Sequence, residues 1–496
     1  MTGWPDIPVI YEVNTAVWLA ELTRAAGEPV TLGSVADSAW DAITPAGVDA
    51  VWLMGVWERS PAGLQLALAN AGLLQSFRDA LPDVQRQDIV GSPYCVRRYL
   101  ADERFGGPSG LAAARAALAA RGVRLILDYV PNHVAPDHPW VTEHPELFVQ
   151  GGGDDLKSDP GTWLSVGGHV LAHGRDPYFP PWPDVVQLNA FAPATRVATE
   201  QTLSDIADQC DGIRCDMAML MFNDIFAKTW GSRAGQRPDE EFWPAVLAQL
   251  RTRHPETVLI AEAYWDTEWA LQQQGFNFCY DKRLYDRILE QDPPAVRGHL
   301  LADLSYQSRL LRFLENHDEP RIADKLPADL ARAAAVTIAT LPGATLWHEG
   351  QFEGRHVRLP VFLSRRPDEA PDEELAAWYR NLLHQVAEHA VRTGTWQLLQ
   401  ADGWPDNQSD RNLIAWSWTH EPADADGIRG HVVVVNLSEA PAQAQIPLPW
   451  PDLPGRDWNL QDLLTGEPFT RRGAELADPG LYVDLQPGQF YLLSVR

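Results

Sequence analysis

Four runs of this 496-residue chain carry an apolar stretch up to a carboxylate: RLILDYVPNH at 124–133, DGIRCDMAM at 211–219, VLIAEAYW at 258–265 and LLRFLENHDEP at 310–320. A side chain at the C-terminal end of a barrel strand points into the mouth of a (β/α)8 barrel. Asp128, Asp216, Glu262 and Asp318 would then converge on one cleft from separate strands. Carboxylates are costly to crowd together, and glycoside cleavage is the main chemistry that needs them crowded. Taken singly, an aspartate at a strand end is more often a helix cap or a loop anchor. The ordered set carries the inference.

In that order the runs resemble the α-amylase family of glycoside hydrolases, over most of the chain. Asp128, Asn132 and His133 match the family's first motif, and Arg214 and Asp216 match the second, with its arginine two residues before the nucleophile. Glu262 matches the general acid of the third, and Asn316, His317 and Asp318 match the fourth. GSPYCVRRY at 91–99 resembles the tyrosine motif after the second strand, and GATLWHEGQFEG at 343–354 resembles the eighth strand and its turn. The resemblance implies catalysis by Asp216 as nucleophile, Glu262 as acid/base and Asp318 as transition-state stabiliser. It also implies sugar contacts from Tyr94, Asp128, His133, Arg214 and His317.

The chemistry fits those residue types. Breaking an acetal needs a proton for the leaving oxygen and a group that carries the positive charge developing on the sugar. A retaining enzyme uses one carboxylate as nucleophile and a second as acid, then base. Arg214 on the same strand is expected to hold Asp216 ionised. An apolar strand end and nearby negative charge are expected to raise Glu262. Asp318 would grip the sugar hydroxyls more tightly as the ring flattens. Cys215, beside the nucleophile, should face the barrel wall. Trp163, Trp182, Trp230, Trp265 and Trp347 lie in segments expected to rim the cleft, one or two of them as sugar platforms.

The departures from the family pattern concern metal and leaving group. Many α-amylases carry Lys-His shortly after the nucleophile, where this chain has Met219 and Leu220. Asn132 is a candidate ligand for a structural calcium. The acidic partner is missing, because PDVVQLN at 183–189 puts Asn189 where α-amylases often have Asp. No cofactor is required by carboxylate chemistry. The resemblance implies an α-glucan or maltooligosaccharide substrate. It implies a retaining hydrolase of α-1,4-linked glucosides, with glucanotransfer by the same residues as the alternative and a non-catalytic carbohydrate-binding role as a further one, against which the intact Asp216, Glu262 and Asp318 weigh.

Composition narrows the class. At 45% hydrophobic the chain can bury a large core and should divide into domains. A formal charge of −27 argues against nucleic-acid or anionic-membrane partners. No apolar stretch approaches a membrane span, and MTGWPDIPVIYEV lacks the pattern of a secretory signal. Cys95, Cys210, Cys215 and Cys279 have no disulfide or metal spacing, so buried reduced thiols and a cytoplasmic location are expected.

The elements that must position these residues read as an α/β chain: a (β/α)8 barrel, an irregular domain B after strand three and a C-terminal antiparallel β-domain. Residues 1–130 form the first part of the barrel, 131–193 the excursion, 194–394 the second part and 395–496 a β-sandwich. Strands are expected at 8–13, 48–54 and 123–128, then ending near Asp216, Glu262, Tyr280, Asn316 and Trp347. A helix is expected around 64–80, another capped by Ser109 and ended by Gly122, and a closing helix at 375–394 stopped by Gly394. PDEAPDEE at 367–374 reads as a solvated helix start. Short strands are expected at 413–418, 431–437, 446–450, 481–485 and 490–495.

Overall fold

A computed structural model describes residues 3–424 and 427–496. Parallel strands close into a barrel in chain order: β1 (Val9–Asn14), β2 (Ala50–Met54), β3 (Arg124–Tyr129), β4 (Gly212–Cys215), β5 (Val258–Ala261), β6 (Phe278–Tyr280), β7 (Leu310–Arg312) and β8 (Ala344–His348), with β8 pairing back onto β1. Successive strand residues point to opposite faces. Val9, Tyr11 and Val13 therefore join the shell between barrel and helices, whereas Ile10 packs inside with Trp52, Ile126, Ile260 and Tyr280. The same parity turns Glu12, Asp128 and Arg214 inward. In register, Arg214 lies beside Asp128 on one side and Ile260 on the other.

Between β3 and β4 the chain leaves the barrel and forms its own four-stranded sheet, ordered 133–134, 182–187, 169–174, 163–166. Val134, Val141, Leu147, Phe148, Leu171, Val186 and Leu188 give it a separate small core. Beyond the barrel, a six-stranded antiparallel sheet (395–398, 413–419, 430–436, 490–495, 457–462, 468–472) and a two-stranded one (442–446 with 481–485) enclose another core. Trp418 Nε1 donates to Thr340 O at 2.8 Å and ties this part to the barrel.

Several local expectations are corrected. Ser109 lies inside the first turn of helix Gly107–Ala120, and Gly106 is the cap; the Ser109 hydroxyl donates back to Gly106 O at 3.2 Å. The segment around 64–80 is two helices, Pro61–Ala69 and Ala71–Ala80, because Asn70 Oδ1 accepts from Leu73 N and starts a new one. The closing helix runs Glu373–Glu388 and stops before Gly394, with Ala390 already at φ 45°. β7 ends at Arg312, short of Asn316. The strand expected at 446–450 is instead Ala442–Ile446, since Pro447 and Pro449 cannot donate to a ladder. Trp347 is fully buried against Phe352 and Tyr379, a core residue away from any rim. Trp163 and Trp230 are likewise buried, edge to face.

Candidate active site

The inward ends of the barrel strands meet on one guanidinium. Arg214 is 1% exposed. Its Nη1 donates to Asp216 Oδ1 at 2.8 Å and to Asp128 Oδ1 at 3.4 Å. Its Nη2 lies 2.8 Å from Glu262 Oε2, an ion-pair contact without hydrogen-bond alignment. Nε donates to Tyr280 Oη at 3.3 Å. The faces of Trp52, Tyr94 and Tyr280 lie 5.1, 5.3 and 5.7 Å from the guanidinium carbon. One cation therefore serves several carboxylates inside an aromatic cage, where water cannot screen it.

That shortage of positive charge sets the protonation states. Burial pushes Glu262 up to about 7 despite Arg214, and the charges of Asp216 and Asp318 push the same way. Met217 N donates to its Oε2 at 2.7 Å and Tyr264 Oη to its Oε1 at 3.0 Å. Burial also raises Asp216, with Arg214 opposing, so the arginine tempers the shift without reversing it. Asp318 goes the other way. Burial would raise it, but His317 holds it down to about 2, although half of its side chain is open to the cleft, where water weakens the effect. Carboxyls pushed apart in this way are suited to separate acid and anion roles.

The remaining predicted residues fall into two sets. Asp128 is fixed from below, its Oδ2 accepting from Trp52 Nε1 at 3.0 Å and from Gly55 N at 3.4 Å. Gly55 has φ 79°, and a Cβ there would meet Pro93 at 2.7 Å. Tyr94 stacks on His317 at 5.3 Å and 23°, and its hydroxyl lies 2.7 Å from His317 Nε2. His133 stands apart from the carboxylates. Its ring meets Trp182 at 5.3 Å, its Nδ1 lies 3.3 Å from Asn132 Nδ2, and burial lowers it to about 4. Trp265 is 36% exposed and meets Tyr178 edge to face at 4.8 Å. All four cysteines are unpaired and buried.

Asn132 does not fit a calcium ligand. Its Oδ1 accepts from Gln187 Nε2 at 2.9 Å, and the same nitrogen donates to Asn132 O at 2.9 Å and Leu188 O at 3.0 Å. Gln187 Oε1 in turn accepts from Arg175 N at 3.2 Å, which fixes the amide's orientation. The oxygens that would face a cation are thus turned onto an amide nitrogen. Asn189 is also engaged, donating to Ala234 O and accepting from Phe191 N. Among the described residues, no group of three or more His, Cys, Asp or Glu side chains is placed to hold a metal ion.

Sequence reasoning missed Glu12, Tyr264 and the anchoring role of Trp52. For Glu12 and Trp52 the signal was there: strand parity puts both on the face of Ile10 and Ala50, inside the barrel. An inward glutamate in a first strand otherwise reading PVIYEV is a residue to explain.

No family model matches the chain. Among curated proteins, the α-amylase MalA of Haloarcula japonica is 25% identical over 480 residues, which is 94% of this chain and 59% of that protein. An α-1,4-glucan:maltose-1-phosphate maltosyltransferase of Burkholderia pseudomallei is 25% identical over 202 residues, 39% of this chain and 15% of that one. Among solved structures, an α-amylase from H. orenii matches with a TM-score of 0.70 at 19% identity, covering 99% of this chain and 100% of its own. The maltogenic α-amylase AmyB of Thermotoga neapolitana matches with 0.68 at 18% identity, covering 99% and 98%. No helix among the described residues is long and apolar enough to cross a membrane.

Proposed function

We propose that the chain is an α-amylase-type glycoside hydrolase, and that it cleaves α-1,4-linked glucans or maltooligosaccharides with retention of configuration. The observation that carries this reading is the guanidinium shared by Asp216 and Glu262, with Glu262 raised to about 7. Asp216 attacks the anomeric carbon while Glu262 gives its proton to the departing glycosidic oxygen. Glu262, now a carboxylate, takes a proton from water, whose oxygen displaces Asp216 from the sugar. Arg214 stabilises both anions as they form. Asp318 and His317 bind hydroxyls of the ring whose bond is cleaved, and Tyr94 stacks against it. Residues 131–193 supply one wall of the cleft. A cytoplasmic setting fits the buried thiols.

A second reading, transfer to a sugar acceptor, is favoured by one feature. Trp265, three residues beyond the proton donor, forms an exposed aromatic pair with Tyr178 of the excursion. Such a pair offers an acceptor ring a platform on the leaving-group side. The experiment is proton NMR of maltooligosaccharide turnover before mutarotation. Initial α-product that grows shorter supports the hydrolase. Early products longer than the substrate favour transfer. Initial β-product overturns both.

A further inference from the structure

Glu12 is a carboxylate with no exposed surface, pointing into the barrel from β1. Burying a carboxylate is costly unless it is paired and fully hydrogen-bonded. This one is only half satisfied: Oε1 lies 2.5 Å from His317 Nδ1, and Oε2 is buried with no hydrogen-bond partner among the described residues. A pair that served folding alone would gain by replacement with apolar side chains. The geometry at the other end of the imidazole gives the pair a different use.

Both nitrogens of His317 face acceptors. Ionised Glu12 can only accept, so Nδ1 carries a proton. Nε2 lies 2.7 Å from Tyr94 Oη, a hydroxyl able to accept, and 3.1 Å from Asp318 Oδ2, which can only accept when ionised, so beside that carboxylate Nε2 carries one as well. The ring is clamped between the stacked Tyr94 and the edge of Trp52 at 5.5 Å and 82°. We propose that Glu12 is a positioning residue of the sugar-binding site, holding His317 as a doubly protonated donor whose Nε2 faces Asp318 and the bound sugar. Glu12 touches neither the substrate nor the reacting atoms; it acts through His317. The inference rests on the α-glucan reading for what His317 touches, and on geometry alone for the pair itself.

The other charged groups around the pair are fixed. Asp128 and Arg214 act on it from β3 and β4, and His348 lies beside Glu12 on β8. Arg358, on the segment after β8, donates to Asp318 O at 2.6 Å. Removing the Glu12 charge leaves Asp318 as the one carboxylate among the described residues in contact with the imidazole. His317 should then lose its second proton at lower pH.

The test is Glu12→Gln, which keeps shape and removes charge, alone and combined with His317→Gln. Turnover of maltooligosaccharides by Glu12→Gln should fall about 10- to 100-fold in kcat/KM, and the double variant should be little worse than His317→Gln alone. Nitrogen NMR of His317 should find an imidazolium in the unsubstituted enzyme at pH 8 and a neutral ring in Glu12→Gln. A change under about twofold in kcat/KM, additive losses in the double variant, or a neutral His317 in the unsubstituted enzyme would each overturn the proposal. The last measurement stands even if Glu12→Gln does not fold. An unsubstituted enzyme inert toward α-glucans would sink the functional reading instead, and the NMR comparison would still judge the pair.

Discussion

Glu262 and Glu315 are both buried glutamates beside an arginine, and their environments are opposite. Glu262 shares Arg214 with Asp216 and Asp128, and burial lifts it to about 7. Glu315 has its arginine with no other carboxylate among the described residues in contact with it. Arg321 Nη1 donates to Oε1 at 2.6 Å and Ile322 N to Oε2 at 2.7 Å, so burial is outweighed and the carboxyl is held below its ordinary range. Burial alone therefore does not mark a residue for chemistry. What separates the two is whether the available positive charge and donors suffice. Where they do, the carboxylate anchors a turn; where they fall short, a proton becomes mobile near neutral pH.

The largest expected effect lies inside the crowded cluster. Asp216→Asn should fold normally and lose about 10⁴-fold or more in kcat, because an amide cannot form the glycosyl ester. Substantial residual turnover in purified protein would remove Asp216 from its role. Next comes Glu262→Gln, with a loss of about 10²- to 10⁴-fold on natural glucans and a much smaller one on substrates with highly acidic leaving groups, which need little protonation. The fall in activity as pH rises through about 7 should also disappear with the proton donor. Equal losses on both substrate types would show that Glu262 is not the acid.

Stability should separate the two glutamates in the opposite sense. Glu315→Gln leaves Arg321 buried without its counter-charge and should cost about 3–5 kcal/mol in urea unfolding, with the pH profile of turnover unmoved. Glu262→Gln removes one of several carboxylates competing for Arg214, and should unfold no more easily than the parent at pH 8. The linkage signs agree. Glu262 binds its proton more tightly folded than unfolded, so its contribution is full below its ordinary 4.5 and is lost as pH rises towards about 7. Glu315 is lowered, so its contribution is present above its ordinary range and is lost as pH falls through the folded value. Similar costs for the two variants at pH 8 would erase the contrast.

How far the sequence reached depends on what kind of information each feature uses. Strand ends, inward parity and the Arg214–Asp216 spacing are local, so the barrel and the convergence of Asp128, Asp216 and Glu262 could be read directly. Asn70, Ser109 and Ala390 are local too, but their outcome turns on competition between neighbouring caps, which pattern alone does not decide. Trp347 follows the inside–outside alternation of its strand, yet its packing depends on Phe352 and Tyr379, supplied by the following turn and a helix beyond it. Glu12 and His317 are 305 positions apart. No spacing rule connects them. The same holds for Gln187, whose acceptors come from Asn132 and Leu188 together.

Gln187 ties the returning strand of the excursion to Asn132 at its start, just past β3, through a covalently tethered donor. A wall held by a dissociable ion would gain stability with the logarithm of that ion's concentration and would loosen in its absence. A side-chain amide carried by the chain itself has no such concentration dependence. It comes with the chain and does not have to be captured from solution. The contact itself calls on no ion, and tuning it takes a change of residue rather than a change of medium.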